Sequence, residues 1–376
     1  MNIFQFLDNK SLYYDKIDYD VIASSWKILQ KHIDLPYVIH IVGTNGKGTT
    51  GRFLASFLVQ LGKKTIHYTS PHILEFNERI WIDGENSTDK QLNDAHTKLQ
   101  KILPKDILDR LTYFEYTTLL ALVISNGYDY IILEAGLGGE FDATNVVKND
   151  LSIFTAIGLD HQEFLGNSVK EIATTKMRSC KSRYILAPQS SKEVLDVAKN
   201  ILKDFTKVRY DFNLKLPKGS ENLPKYLQEN LRTALSVVRY LGFGIENLKL
   251  DRLDGRFEYI AKNIIVDVGH NPIAAKAIYD ELEKSDKKIV LIYNSYKDKD
   301  YTKVLNILHP ILKRVEIIEC KDKRIVNKEI LEDRLKDLDI EFRDFNIDNM
   351  DDNLYLVFGS FLVVENFLKQ YKKDDR

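Results

Sequence analysis

The stretch VIHIVGTNGKGTTGRFL, Val38 to Leu54, decides how the rest of the chain is read. Its first part is a nearly continuous apolar run and its last part opens a helical pattern, with a glycine-rich turn between them. The common phosphate-loop pattern places a glycine six residues before the lysine and a Ser or Thr directly after it. Here those positions hold Ile41 and Gly48, with Thr49 and Thr50 one place late. The physical ingredients are nevertheless present. A turn between strand and helix has unpaired N–H groups and the positive end of the helix dipole. Gly43, Gly46 and Gly48 let an anion approach the main chain, Lys47 adds a point charge, and Thr49 adds a hydroxyl. An ordinary strand-to-helix turn with a surface lysine needs fewer glycines than this.

Outward from that stretch, strand and helix alternate. YVIHIV, YDYIILEAG and LSIFTAIG are apolar runs suited to a parallel sheet buried on both faces. TTGRFLASFLVQL and YFEYTTLLALVISN repeat apolar residues at helical spacing. A second series begins near residue 260 with NIIVDVG, KIVLIY, RVEIIE and LYLVFGS. Between the two series, IENLKLDRLDGRFEYI carries no sustained period of either kind. The alternation predicts an α/β protein with a doubly wound first domain, residues 1–253, and a smaller second domain, residues 254–376.

The remaining composition mainly excludes. With 376 residues the chain has room for roughly two to three cores. Its 54 basic and 55 acidic residues give a net charge of -1, so no basic field for nucleic acid is expected. Clusters such as KDKDYTK alternate in sign and read as a solvated face. Two distant cysteines, Cys180 and Cys320, form no disulfide framework and no metal spacing. The acidic N-terminus lacks the apolar core of a signal peptide, and no run is long enough to span a membrane. A soluble, cytoplasmic protein is expected.

A base-reading Asn-Lys-x-Asp element, which a GTPase switch would need, is missing; the nearest candidate, NKEI, ends in Ile330. In order along the chain, GTNGKGTT is followed by TSPHILEFNERI, FEYTT, LEAGLGGEFDATNVV, GLDHQEFLG, LDGRFE, DVGHNPIAA and FGSF. This series resembles the folylpolyglutamate synthase/dihydrofolate synthase family, a branch of the Mur ligases, from about residue 38 to residue 365. The compact phosphate loop is that family's form. The resemblance implies a P-loop, Mur-ligase-like central domain with a mostly parallel sheet and a C-terminal Rossmann-like glutamate-ligase domain. It implies an ATP-dependent amide ligase that activates a carboxylate as an acyl phosphate, which the amine of L-glutamate then attacks. Dihydropteroate is the expected acceptor and a reduced folate the further one. Such chemistry depends on positioning and on neutralising phosphate charge. The protein would act as a monomer, without nucleic acid or membrane.

The resemblance also distributes roles. The loop Gly43, Thr44, Asn45, Gly46, Lys47, Gly48, Thr49 and Thr50 would hold ATP, with Asn230, Arg256, Asp267 and His270 completing the nucleotide contacts between the domains. Ser70, Glu134, His161 and Lys176 would serve two Mg²⁺ ions, Asp160 standing behind them and Lys176 carrying a CO₂-derived carboxyl. Lys47, Lys176, His161 and Glu134 would be catalytic. Thr112, Phe114, Phe141, Asp142 and Ala143 would contact the pterin, and Ser360 the incoming glutamate. Bland alternatives stand beside these: a solvated strand-end glutamate, a capping histidine, a turn serine, a solvent-facing helix lysine.

Two departures from the family pattern bear on substrate. Glu140 stands where an arginine is usual, which weakens attraction for a polyanionic folate tail and favours addition of the first glutamate. No arginine precedes Arg52, leaving Lys10 or Lys16 as N-terminal cations for glutamate. Another Mur-type ligase, acting on a different carboxylate, is the first alternative. A catalytically silent ATP-binding module is the second.

Overall fold

The structure is a computed structural model describing residues 2–11, 19–251 and 253–374; Lys16 lies outside them. The chain divides into two compact units, Met1–Glu221 with Leu227–Asp251 and Asn222–Tyr226 with Arg252–Arg376.

The first unit is built on an eight-stranded sheet: β1 (Tyr37–Val42), β2 (Thr65–Tyr68), β3 (Ile80–Ile82), β4 (Glu85–Asn86), β5 (Tyr130–Glu134), β6 (Leu151–Phe154), β7 (Arg183–Leu186) and β8 (Thr206–Lys207). Their order is β4-β3-β2-β5-β1-β6-β7-β8, parallel from β2 to β8 and antiparallel only in the β2-β3-β4 meander. The apolar runs of β1, β5 and β6 are buried almost throughout because helices cover both faces. On one face, Tyr116, Leu119 and Leu122 of the helix Tyr113–Ile124 pack with Ile66, Ile131 and Leu133. A separate cluster joins Ile172, Ala173 and Met177 of the helix Val169–Met177 to Phe154 and Tyr184.

Strand order places the working edge. From β1 the chain moves outward to β2, returns as β5, and then crosses to β6 on the far side of β1. The loops after β1, β5 and β6 therefore leave neighbouring strands at the carboxyl edge, at a reversal in winding where open α/β sheets bind ligands. The helix after β1 starts at Lys47, just before Thr49, so Lys47 and Gly48 already lie in its first turn.

The second unit carries a six-stranded sheet: β9 (Glu258–Ala261), β10 (Ile264–Val266), β11 (Ile289–Tyr293), β12 (Leu312–Ile317), β13 (Phe342–Asp344) and β14 (Leu354–Phe358). The order is β13-β12-β11-β14-β10-β9, antiparallel only at the β9-β10 pair. The four strands expected from sequence are β10, β11, β12 and β14. β9 and β13 escape notice because each is a short edge strand, partly exposed and without an apolar run.

Candidate functional site

The phosphate turn is pinned to the loop after β6. Thr44 and Asn45 N–H groups donate to the Ala156 carbonyl at 2.8 and 3.2 Å. The Thr44 hydroxyl donates to Gly158 O (3.0 Å) and accepts from Gly158 N–H (3.1 Å). Gly46 precedes the helix in left-handed geometry (φ +83°), and a Cβ there would stand 2.5 Å from Asn230 Oδ1. A Cβ on Gly43 would meet Thr155 Oγ1 at 1.9 Å, and one on Gly48 would meet Glu134 Oε2 at 3.1 Å. The glycines thus bring Asn230, Thr155 and Glu134, distant in sequence, against the bare turn. No side chain caps the helix start. Thr50 Oγ1 and Thr155 Oγ1 are buried without a partner among the protein's atoms.

Glu134 ends β5 and is 5% exposed, which removes the reading of a merely solvated strand end. Its Oε2 accepts from the Thr69 hydroxyl and from Ser70 N–H (3.3 Å). Thr69, the neighbour of the TSPH motif, is a site residue that sequence reading missed. Lys176 is likewise 5% exposed, not the solvent-facing alternative, and its Nζ donates to the Gly43 carbonyl at 2.9 Å. Burial, reinforced by repulsion from Lys47, pushes its pKa down to about 7 against the attraction of Asp160 and Asp142. Lys47 Nζ donates to Thr44 O at 3.3 Å.

His161 follows β6 in left-handed backbone (φ 49°) at the start of the short helix Gln162–Leu165, without a side-chain cap bond. Its Nε2 is 4.0 Å from Asp160 Oδ2. Among the described residues no three His, Cys, Asp or Glu side chains form a ready metal cage. A hard cation that keeps waters and phosphate oxygens needs only one or two carboxylates, and Glu134 at the first helical turn suits that role.

Sequence comparison decides the family. The Mur ligase middle domain matches residues 41–184. The dihydrofolate synthase/folylpolyglutamate synthase of Haemophilus influenzae is 32% identical, with 89% of this chain and 88% of that one covered. The chain belongs to the dihydrofolate synthase/folylpolyglutamate synthase family. It is an ATP-dependent ligase with the two-sheet fold of those enzymes. The crystal structure of Helicobacter pylori folylpolyglutamate synthetase shares 38% identity and a TM-score of 0.77, covering 99% of this chain and 98% of that one. The bifunctional folylpolyglutamate synthase/dihydrofolate synthase of Yersinia pestis, complexed with AMPPNP and Mn ion, shares 25% identity and a TM-score of 0.84, covering 98% and 97%.

In this ligase the expected pterin residues divide by environment. Thr112 caps the helix Tyr113–Ile124 in a capping box with Glu115, which ties up its hydroxyl. Asp142 is fully engaged by its own loop: Oδ2 accepts from Leu137 N–H (2.7 Å), and Oδ1 from Thr144 N–H (2.9 Å) and the Thr144 hydroxyl (2.5 Å). Ala143 is buried beside it. Phe114 lies under Gly136, where a Cβ would meet the ring at 2.6 Å, while Phe141 is 62% exposed. Glu140 pairs with Arg178 at 3.4 Å. Lys10 donates to the Leu108 carbonyl and lies over the Phe6 ring, so its ammonium serves the fold of the N-terminal segment.

Arg256, Asp267, His270 and Ser360 belong to the second unit. Asp267 accepts from Gly269 N–H (2.8 Å), Phe257 N–H (2.9 Å) and the Tyr226 hydroxyl (2.9 Å). Arg256 lies over the Phe361 ring. His270 Nδ1 is 3.3 Å from Val268 O. Ser360 Oγ, buried, accepts from Val363 N–H at the start of the last helix. Among the described residues no helix is long and apolar enough to cross a membrane.

Proposed function

We propose that this ligase joins L-glutamate to dihydropteroate, and also extends reduced folates, using ATP and a divalent cation. The observation that carries this reading is the convergence on one bare glycine turn of Lys47, the Glu134 carboxylate and the desolvated Lys176 amine. The turn would hold the β- and γ-phosphates on its N–H groups, with Lys47 neutralising charge as the terminal phosphoryl passes to the acceptor carboxylate. That transfer leaves ADP and an acyl phosphate. Attack by the glutamate amine then releases phosphate and a proton and forms the amide.

A bound Mg²⁺ would lower the charge barrier between the phosphates and the incoming carboxylate. Glu134 would hold it, with Ser70 and His161 as further ligands of two ions in all. A neutral Lys176 amine would take up CO₂ as a carbamate with loss of one proton, placing an anionic oxygen ligand beside the turn. Phe114, Phe141 and Ala143 would border the pterin, with Thr112 and Asp142 acting through the cap and loop they build. Asn230, Arg256, Asp267 and His270 toward the nucleotide, and Ser360 toward glutamate, keep the roles implied by the resemblance. We assign ATP binding to residues 1–253 and glutamate ligation to residues 254–376.

The test is purified protein with Mg-ATP, labelled glutamate and either dihydropteroate or a reduced folate. Amide product with ADP release from dihydropteroate is expected. Product from the folate alone overturns the acceptor assignment, and nucleotide binding without product from either restores the silent-module alternative.

A further inference from the structure

The bond between Thr144 and Asp142 fixes the direction of a longer chain. Thr144 has a single hydroxyl proton, and its 2.5 Å bond to Asp142 Oδ1, an oxygen that also accepts from Thr144 N–H, takes it. Thr144 Oγ1 also lies 2.8 Å from His40 Nε2, so at that contact it must accept. His40 is therefore protonated on Nε2. The ring is 1% exposed, burial holds its pKa down to about 3, and its Nδ1 has no partner among the protein's atoms. A neutral histidine with one bare, buried nitrogen is an unusual choice for the middle of a parallel strand. It sits on β1, just upstream of Gly43.

At its other end the chain governs a loop. Asp142 gathers Leu137 N–H and Thr144 N–H, closing residues 137–144 on themselves. That loop leans on the helix bearing Lys176: Glu140 N–H donates to Thr175 O at 3.0 Å, and a Cβ on Gly139 would stand 2.8 Å from the Lys176 carbonyl. Asn145 Nδ2 braces the Glu140 carbonyl at 2.9 Å.

We propose that His40 and Thr144 are positioning residues: a directed relay, His40 Nε2–H to Thr144 O–H to Asp142, holds the Leu137–Asp142 loop and the Lys176 helix in register with the strand that delivers the phosphate turn. The proposal rests on the ligase reading. Acyl transfer is sensitive to displacements of about 1 Å, so slack in this relay lowers the chemical step more than it lowers nucleotide binding.

Thr144→Val keeps the side-chain shape and removes both hydrogen bonds; Thr144→Ser keeps both; His40→Gln retains an N–H donor that His40→Leu lacks. Thr144→Val is expected to lower kcat by about 10- to 100-fold with KM for ATP within about twofold. Thr144→Ser should restore most of kcat, and His40→Gln should exceed His40→Leu. A Thr144→Val enzyme with wild-type kcat overturns the relay. So does one whose melting temperature falls while kcat per folded molecule is unchanged, which marks a purely structural bond. Should Thr144→Val or His40→Leu fail to fold, ¹⁵N NMR of the wild-type imidazoles decides: an Nε2–H neutral His40 at pH 7 supports the relay, and an Nδ1–H or charged ring overturns it. A wild-type protein that makes no amide sinks the ligase reading instead, and the same NMR measurement still judges the relay's geometry.

Discussion

The carboxyl edges of the two sheets use their polar side chains differently. At the first, Thr50 Oγ1, Thr155 Oγ1 and Asn145 Oδ1 are buried without protein partners, and Lys176 is a desolvated amine. At the second, Asp267 receives three donors, Asn271 caps the helix Pro272–Leu282, and Ser360 caps the last helix. An unpaired buried polar group costs about 1–3 kcal/mol, so several at one edge favour a ligand there. The first edge leaves these groups open to a ligand, whereas at the second these three side chains are held by the protein's own groups.

The sharpest way to break this contrast is Lys47→Ala. Turnover should fall on the order of a thousandfold while the melting temperature stays within a few degrees, because Lys47 is partly exposed and contributes one long bond to the fold. Retained turnover would remove the phosphate role from the turn. Next is Glu134→Gln, expected to cost about 100-fold in kcat and to raise the metal concentration needed for half-activity. An unchanged metal requirement would move the cation site elsewhere.

Lys176 sharpens the comparison through pH. Its folded pKa, about 7, lies far below the ordinary lysine value, so the neutral amine grows as pH rises through 7. With ¹³C-bicarbonate, a carbamate resonance should strengthen from pH 6 to pH 8 and vanish in Lys176→Met; its absence from the wild type would remove the anionic ligand. The same shift makes the unfolded chain the tighter proton binder between about pH 7 and 10.5, so this residue's effect lowers stability as pH falls through that window.

Asp267→Asn tests the second edge. A loss of about 1–3 kcal/mol in stability from disturbing its three donors is expected, together with a raised KM for ATP from its proposed nucleotide role. Unaltered stability would show that these donors do not hold the edge, and an unchanged KM for ATP would remove the nucleotide role from Asp267. The smallest effect is expected of Glu140→Arg, because Glu140 is partly exposed and already faces Arg178. Folate extension should rise a few-fold relative to dihydropteroate ligation, and the gain should shrink with added salt.

Much of the fold could be read directly. The runs YVIHIV and YIILE are apolar because both faces of β1 and β5 are covered, so burial writes itself into the sequence. β4, β8 and β13 are edge strands with exposed residues, and β9 is a half-covered one; none carries that signal. Within the site, Lys47 and its glycines form a local pattern, legible because turn and helix start are contiguous. Thr69, Thr155 and the His40–Thr144 contact were not legible, since each meets the site through a segment tens of residues away.

The sequence by itself determined the alternation of strands and helices, the glycine turn and the order of motifs, because periodicity and backbone conformation are local properties. Only the tertiary structure decided that Lys176 loses its solvent beside Gly43, that Glu134 abuts the first turn of the phosphate helix, and that Asp142 belongs to its own loop. Desolvation and hydrogen-bond saturation depend on which distant segments meet, and the winding of the sheet settles that.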